Sequence, residues 1–160
     1  MEREAFDAAA RQHRDTVYRV ALHVLASPAD AEDAVQEVFL RLFTYKGEFE
    51  NPKHLRRWLI RVTVNTCKNT LKSWWRRRRV SLDTVAELPV FDQPEDRTLF
   101  EAVMALPEKY RTVLGLFYYE ELSTAQIAQA LGLRQSAVTT RLSRARGLLK
   151  EKLGGDWQDE

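Results

Sequence analysis

Hydrophobic residues recur every three or four positions along most of this chain, which is the spacing of an amphipathic helix. One such stripe predicts a helix over residues 3–25, and a second follows a turn in which Asp30 is the predicted N-cap. After a loop over residues 44–52, a longer helix is predicted over residues 53–79. The sequence contains no strand-like alternation of apolar and polar residues, so the pattern predicts an all-α fold.

The periodic pattern stops between residues 80 and 98 and then resumes. This segment is acidic and aperiodic, and Pro89 and Pro94 argue against a continuous helix there. It is either a solvated tether or a segment that docks on another surface. We therefore predict two small helical domains joined by a flexible acidic linker and followed by a polar tail, with boundaries at 1–79, 80–98, 99–153 and 154–160.

The second domain begins with a helix whose apolar positions are Leu99, Val103 and Leu106. Pro107 then stands where a helix tolerates proline, in the first turn of the next helix. The residues that this next helix is expected to bury are Tyr110, Val113, Leu114 and Phe117.

Residues 123–149 have the layout of a helix-turn-helix. Ser123 and Gln126 predict a capping box at the first helix, and Gly132 supplies the turn conformation between the helices. The apolar positions of the second helix turn short polar residues outward, with arginines beside them. The polar set is Gln135, Ser136, Thr139, Thr140 and Ser143, and the arginines are Arg134, Arg141, Arg144 and Arg146. Such a face suits base edges and phosphates, and the alternative is a helical hairpin with a solvated charged face.

The net charge of +2 conceals a segmented distribution of charged residues. Residues 53–79 hold ten basic residues and no acidic one, and residues 122–150 hold five basic residues and no acidic one. Residues 81–100 reverse the sign, with five acids against Arg97. Clusters of this kind are the electrostatic footprint of a protein that binds a polyanion.

A stripe of basic and amide residues follows the predicted helix over residues 53–79. Its members, at steps of three and four, are Arg57, Arg61, Asn65, Lys68, Lys72, Arg76 and Arg79. Cations stacked in this way repel one another, and a phosphate backbone relieves the repulsion while releasing counterions. The stripe predicts a helix that faces nucleic acid, with a solvated surface as the alternative. Of Trp74 and Trp75, one is expected to pack inward.

The second predicted helix shows acidic and amide residues opposite its apolar stripe, at Asp30, Asp33, Gln36 and Glu37. This negative face should not bind DNA. It is a solvated face, a metal site or a surface for a protein partner, and a metal site is disfavoured because no histidine or third ligand lies near. The sequence also lacks a convergent acid, base or metal set such as a nuclease would need, so we predict neither an enzyme nor a cofactor.

The cysteine count and the length of the apolar stretches indicate the cellular compartment of the protein. The chain has one cysteine, Cys67, which excludes an internal disulfide bond, and no apolar stretch approaches the roughly 18 residues that span a bilayer. His13 lies on the apolar stripe of the first helix and is predicted to be a core residue. These features predict a cytoplasmic protein.

Three segments together resemble one family. DAEDAVQEVF is similar to the polymerase-binding helix of bacterial sigma factors of the extracytoplasmic-function group. HLRRWLIRVTVNTCKNTLKSWWRR resembles the helix that opens and reads their −10 promoter element. LPEKYRTVLGLFYYEELSTAQIAQALGLRQSAVTTRLSRARGLL resembles their −35-binding domain. The resemblance covers about residues 5–150, in the family's order and spacing.

The resemblance implies an alternative sigma factor of stress responses, which binds core RNA polymerase and directs transcription initiation at particular promoters. The residues implied in polymerase binding are Asp30, Asp33, Gln36, Glu37 and Leu40. Those implied in −10 DNA binding are Tyr45, Phe49, Arg57, Arg61, Asn65, Lys68, Lys72 and Arg76. Those implied in −35 DNA binding are Arg134, Gln135, Ser136, Thr139, Thr140, Arg141, Ser143 and Arg144. An anti-sigma factor, free or membrane-anchored, is a further implied partner, and no small-molecule substrate is implied.

The sequence departs from the family pattern at two residues. Gln126 stands where an acidic residue is common, although it preserves the capping box. Arg134 occupies the position at which a serine or threonine usually caps the recognition helix, and an arginine side chain cannot accept the backbone N–H bonds. The start of that helix is therefore left open. The competing hypothesis is a conventional helix-turn-helix regulator that never enters polymerase, although it does not explain the acidic helix or the long basic helix.

Overall fold

The computed structural model describes the backbone of residues 1–77 and 94–154, with side chains for residues 1–74 and 96–154. These two ranges contain helices and turns and no strand, which confirms the predicted all-α fold. The helices are α1 (Arg3–Leu25), α2 (Pro28–Thr44), α3 (Pro52–Arg77), α4 (Pro94–Met104), α5 (Glu108–Leu114), α6 (Thr124–Leu131) and α7 (Gln135–Lys152). No helix in the two ranges is long and apolar enough to cross a membrane.

The turn between α1 and α2 begins with Ala26 in the left-handed conformation, at a φ of 54°. Ser27 is the N-cap of α2, and its hydroxyl accepts a hydrogen bond from the Asp30 amide at 3.4 Å. The prediction that Asp30 is the N-cap is therefore wrong. Proline is tolerated as the first residue of a helix, because the backbone N–H that it lacks would have no intrahelical partner there. Pro28 is the first helical residue of α2, so the N-cap is Ser27.

Helices α1, α2 and α3 pack around one apolar core. Val17, Val38, Leu42 and Leu59 are its innermost members, each with no exposed surface. His13 is buried beside them, as predicted for a core residue, and its Nε2 has no hydrogen-bond partner. The apolar stripes that predicted α1 and α2 thus face this core.

Helix α4 begins at Pro94, so residues 94–98 are helical rather than part of a non-helical linker. Proline disrupts a helix interior but fits its first turn, and Pro94 starts a helix instead of preventing one. Residues 78–93, which include Arg79 and most of the predicted linker, lie outside the described residues. The predicted domain boundaries stay predictions.

Helix α5 follows Pro107, which is its N-cap rather than a member of its first turn. A single π-helical turn, Gly115–Tyr119, continues α5. Leu114 and Leu116 are buried, whereas Phe117 is only partly buried and Tyr118 is exposed. The wider π turn shifts the helical register by one residue, and a regular 3.6-residue periodicity therefore overestimated the burial of Phe117.

The helix-turn-helix is formed by α6 and α7. The Ser123 hydroxyl accepts from the Gln126 amide at 3.1 Å, and the Gln126 side chain accepts from the Ser123 amide at 2.9 Å, which confirms the capping box. Gly132 has a φ of 67° in the turn, a conformation that other residues resist. Ile127 and Val138 are fully buried between the helices.

Candidate nucleic-acid interface

The exposed face of α7 consists of short polar residues and arginines. The helix buries Val138, Leu142, Ala145 and Leu149 against its domain. This orientation leaves one set of side chains exposed, as predicted: Arg134, Gln135, Ser136, Thr139, Thr140, Ser143 and Arg144. Arg141 is half-buried at the edge of the same face. The face therefore offers donors and acceptors between cations, which is the chemistry that reads base edges and holds phosphates.

Helix α7 begins at Gln135. Arg134 is its N-cap residue and makes no side-chain capping bond. The hydroxyls of Thr139 and Thr140 donate to the carbonyls of Gln135 and Ser136, at 3.1 Å and 2.9 Å. Each hydroxyl oxygen keeps its acceptor capacity toward a base or a bridging water.

A cationic cleft of about 560 Å³ lies beside the start of α7. Its walls include Arg134, Arg141 and Arg144 from the helix-turn-helix, together with Lys109 and Tyr110 from α5. The Lys109 ammonium lies 5.0 Å from the centre of the Tyr110 ring. Sequence reasoning missed Lys109 and Tyr110, because they lie on a different helix and Tyr110 was expected to be buried.

Arg146 does not join this cationic face. Its Nε donates to the Tyr118 hydroxyl at 2.7 Å, and its guanidinium lies 5.7 Å from the centres of the Phe117 and Tyr118 rings. The expectation that Arg146 flanks the DNA-reading residues is therefore wrong, because the π-helical turn brings two aromatic rings to it. Arg146 fixes α7 to its own domain.

Helix α3 presents the predicted stripe to solvent. Arg57, Arg61, Asn65 and Lys72 are exposed, and Lys68 is half-buried. Within the described residues, no ion pair engages Arg57, Arg61 or Lys72. The 26 residues of α3 extend for about 39 Å at 1.5 Å per residue, so the stripe is long enough to follow a nucleic-acid backbone. The Arg76 side chain lies outside the described residues.

The loop before α3 brings three aromatic rings together. Tyr45 stacks on Phe49 with ring centres 5.4 Å apart, and both rings contact Trp58 of α3, at 4.7 Å and 5.5 Å. Phe49 and Trp58 pack against the core, whereas Tyr45 is 38% exposed. Tyr45 is therefore the loop aromatic most accessible to a base. Trp74 is half-buried, and the Trp75 side chain lies outside the described residues.

Two features that sequence reasoning missed hold this loop. The His54 amide donates to the Asn51 side chain at 2.8 Å, and the His54 Nδ1 accepts from the Glu50 amide at 3.0 Å. These reciprocal bonds resemble a capping box at the start of α3, with histidine in place of the usual Glu or Gln. A Cβ at Gly47 would lie 2.5 Å from atoms of the Tyr45 ring, so this ring can pack over the loop only because residue 47 is glycine.

The acidic face of α2 carries exposed Asp33, Gln36 and Glu37, with Asp30 half-buried in the first turn. Leu40 is 64% exposed on the same helix, and Phe43, which the sequence reasoning missed, is 46% exposed one turn further on. Exposed large apolar residues beside charged ones are typical of protein-binding surfaces. Among the described residues, no group of three or more His, Cys, Asp or Glu lies close enough to hold a metal ion.

Two family models match successive parts of this chain. The model of sigma-70 region 2 matches residues 9–79, and the model of sigma-70 region 4 matches residues 96–149. The RNA polymerase sigma-E factor of Streptomyces coelicolor is 32% identical over 155 residues, which cover 92% of this chain and 85% of that protein. The chain belongs to the sigma-70 family of RNA polymerase sigma factors.

Two further relatives refine the classification of this sigma factor. The ECF RNA polymerase sigma factor SigW of Bacillus subtilis is 27% identical over 171 residues, covering 95% of this chain and 90% of that protein. The probable RNA polymerase sigma factor RfaY of Xanthomonas campestris pv. campestris is 31% identical, and the chain spans 38% of that longer protein. The resemblance to the extracytoplasmic-function group is confirmed, and the chain is an alternative sigma factor.

The fold of this sigma factor also occurs in solved structures. The sigma factor RpoE of Bartonella quintana, solved with the anti-sigma factor NepR, aligns with a TM-score of 0.81 at 21% identity. The alignment covers 96% of this chain and 99% of that one. The two proteins therefore share the all-α fold.

Proposed function

We propose that three surfaces divide the work of this sigma factor: α2 binds core polymerase, α3 with the 44–52 loop opens the −10 element, and α7 reads the −35 element. The observation that carries this division is the contrast within one small helical bundle. The exposed face of α2 is acidic with an apolar end, whereas the exposed stripe of α3 is cationic with no acid along the helix. One face repels DNA and the other attracts it.

The α2 surface suits a protein partner that offers basic and apolar side chains. Asp33, Gln36 and Glu37 supply the polar part, and Leu40 with Phe43 supplies an apolar centre. Phe43 is held by an edge-on contact with Phe6 of α1, with ring centres 5.2 Å apart. We assign this surface to core RNA polymerase, with Asp30 supporting the start of the helix.

The α3 surface suits a separated DNA strand. Arg57, Arg61, Asn65, Lys68 and Lys72 would hold the backbone, with Arg76 continuing the stripe. An unstacked base needs a pocket and a stacking partner, and base–aromatic stacking contributes roughly 1–3 kcal/mol per base. In the 44–52 loop, the exposed ring of Tyr45 offers that surface, and Phe49 supports it from below.

The α7 surface suits duplex DNA. Gln135, Ser136, Thr139, Thr140 and Ser143 would face base edges. Around them, Arg134, Arg141 and Arg144 would hold phosphates, and Lys109 and Tyr110 would extend this phosphate-binding surface onto α5. The side chains that read bases are thus separate from those that supply general affinity.

The solved relatives suggest a further partner. RpoE of Bartonella quintana was solved with the anti-sigma factor NepR, and CnrH, which aligns with a TM-score of 0.65, was solved with the cytosolic domain of CnrY. An anti-sigma factor would hold this chain away from polymerase until a signal arrives. The chain would act in the cytoplasm, where polymerase is, without catalytic groups or a cofactor of its own.

The test begins at α2. The double variant Asp33→Lys and Glu37→Lys should lose core polymerase in a pull-down and lose promoter-dependent transcription in a reconstituted reaction. Its helical circular dichroism should not change, because both side chains are exposed. The matched control is Asp7→Lys with Asp15→Lys, two exposed acids of α1, which should bind core normally. Equal binding by the two double variants would show that the α2 face is only solvated.

A further inference from the structure

The first residues of α6 and α7 are joined by a side-chain hydrogen bond across the helix-turn-helix. The Gln135 Nε2 donates to the Thr124 hydroxyl oxygen at 2.7 Å. Thr124 is half-buried at the start of α6, and Gln135 is exposed at the start of α7. The start of α6 is fixed independently by the Ser123–Gln126 capping box, so this bond is not needed to begin the helix.

The bond determines what the Gln135 amide can still offer. A glutamine side chain carries two N–H donors and one carbonyl acceptor. One N–H is donated to Thr124, which leaves the second N–H and the Oε1 acceptor of this exposed side chain available to a ligand. A donor and an acceptor on one planar amide match the N7 acceptor and the N6 amino donor of adenine in the major groove. Guanine, with two acceptors at N7 and O6, does not match this pair.

The same bond limits the motion of an exposed, flexible side chain. Free glutamine samples many rotamers, and a base contact must offset the entropy lost when one of them is selected. Thr124 holds Gln135 in place before DNA arrives, which is the effect by which preorganisation raises affinity for one partner.

We propose that Thr124 is a positioning residue that sets Gln135 to read adenine at one position of the −35 element. Thr124 itself contacts no base. This inference rests on the proposed function of α7 in reading the −35 element, and it adds both a base identity and a residue outside the recognition helix.

The test measures binding of reconstituted holoenzyme to promoters that carry each of the four bases at each −35 position. Wild type should prefer adenine at one position by about 5- to 150-fold, the range that one bidentate contact supplies. Gln135→Ala should remove that preference. Thr124→Val, which keeps the shape but loses the hydroxyl, should remove most of it at that position alone. Thr124→Ser should retain it, because the hydroxyl is kept.

The double variant Thr124→Val with Gln135→Ala tests whether the two residues contribute to the adenine preference through one another. If Thr124 acts through Gln135, the double variant should have the same base preference as Gln135→Ala alone. The salt dependence of binding should be the same in wild type, the two single variants and the double variant. Loss of helicity in Thr124→Val would be resolved by Thr124→Ala, which makes the same prediction.

Each alternative outcome overturns a different part of the proposal. A preference that disappears in Gln135→Ala but persists in Thr124→Val and Thr124→Ala would overturn the role of Thr124 while leaving α7 as the −35 reader. Unchanged preferences in Gln135→Ala would overturn the reading role of Gln135 itself. A wild-type preference for guanine at the Gln135-dependent position would overturn the donor and acceptor assignment.

Discussion

Helices α3 and α7 both present cations to solvent, but they differ in what lies between and beside those cations. On α7, short hydroxyl and amide side chains such as Thr139 alternate with the arginines. On α3, the stripe is almost entirely cationic, and its N-terminal end adjoins an aromatic cluster built on Tyr45 and Trp58. Charge alone therefore indicates nucleic acid, and the neighbouring side chains indicate whether bases are read in the duplex or taken out of it.

The strongest expected effect on the α7 side comes from Arg141 and Arg144, two of its three arginines. Arg141→Ala with Arg144→Ala should weaken binding of holoenzyme to every −35 sequence alike. Each lost phosphate contact should lower the slope of log affinity against log salt by about 0.9, or roughly 1.8 for the pair. Titrations of several −35 variants at four salt concentrations measure both quantities. A changed order of preference among the variants would mean that these arginines read bases as well.

A smaller effect of the same kind is expected at Lys109. Its ammonium belongs to the cationic cleft beside α7, so Lys109→Ala should lower the salt slope by about 0.9 without altering base preference. Lys150→Ala, an exposed lysine in the last turn of α7, is the control and should leave the slope unchanged. Equal slopes for both variants and wild type would remove α5 from the interface.

Most of α7 and α3 could be predicted because periodicity determines which residues face the core. Val138, Leu142, Ala145 and Leu149 are buried as their spacing requires, and this forces Gln135 and Thr139 outward. The exposed cationic stripe of α3 was predicted in the same way, from the spacing of the residues that face the core. These are local properties, since three- and four-residue spacing is fixed by the helix itself.

The errors arise where the chain departs from regular helix geometry. The π-helical turn at Gly115–Tyr119 brings Tyr118 to Arg146. Nothing in the sequence predicts the extra residue that this turn inserts into the helix. Lys109 and Gln135 illustrate a second limit. Lys109 lines the cleft with Arg134 from a distant part of the sequence, and Gln135 donates to Thr124 of α6. The cleft and the fixed amide therefore depend on tertiary packing rather than on local spacing.

On the α3 side, His54 should affect opening and not association. His54→Ala removes the acceptor for the Glu50 amide and should loosen the 44–52 loop, adding on the order of 1 kcal/mol to the cost of melting, the usual contribution of a helix cap. His54→Gln, which restores an acceptor at the same helix position, should recover most of the activity. Permanganate reactivity of promoter thymines reports opening. Equal defects in the two variants would show that the hydrogen bond is not what holds the loop.

The smallest expected effect is a pH dependence of stability in α1–α3 that is absent from α4–α7. The three histidines, His13, His23 and His54, all lie in α1–α3. Burial, and then the nearby Arg56, lowers the pKa of His13 below the ordinary histidine value of 6.5. As the pH falls through that ordinary value, the unfolded chain takes up a proton before the folded chain does, so stability decreases toward acid.

Hydrogen exchange in the full chain, corrected for the intrinsic rate, should therefore rise in α1–α3 between pH 7.5 and pH 5.5 and stay constant in α4–α7. His13→Leu should reduce the change. A similar rise in α7, or an undiminished rise in His13→Leu, would assign the pH response to other groups.

The central claim, that α3 opens promoters and α7 finds them, is tested most directly at Arg61 and Asn65. Holoenzyme with Arg61→Ala or Asn65→Ala should associate with duplex promoter almost normally, because α7 and its cleft supply the phosphate contacts. The control Arg11→Ala changes an exposed arginine of α1.

The decisive measurement compares a duplex promoter with the same promoter carrying a pre-melted −10 bubble. We expect the Arg61 and Asn65 variants to lose permanganate-reactive thymines on the duplex, at a cost of roughly 1.5–3 kcal/mol for each lost hydrogen bond to a phosphate. On the bubble, they should regain much of their transcription. If they lose duplex association as severely as opening, and the bubble restores nothing, then α3 is a general DNA clamp and the division between the two helices is contradicted.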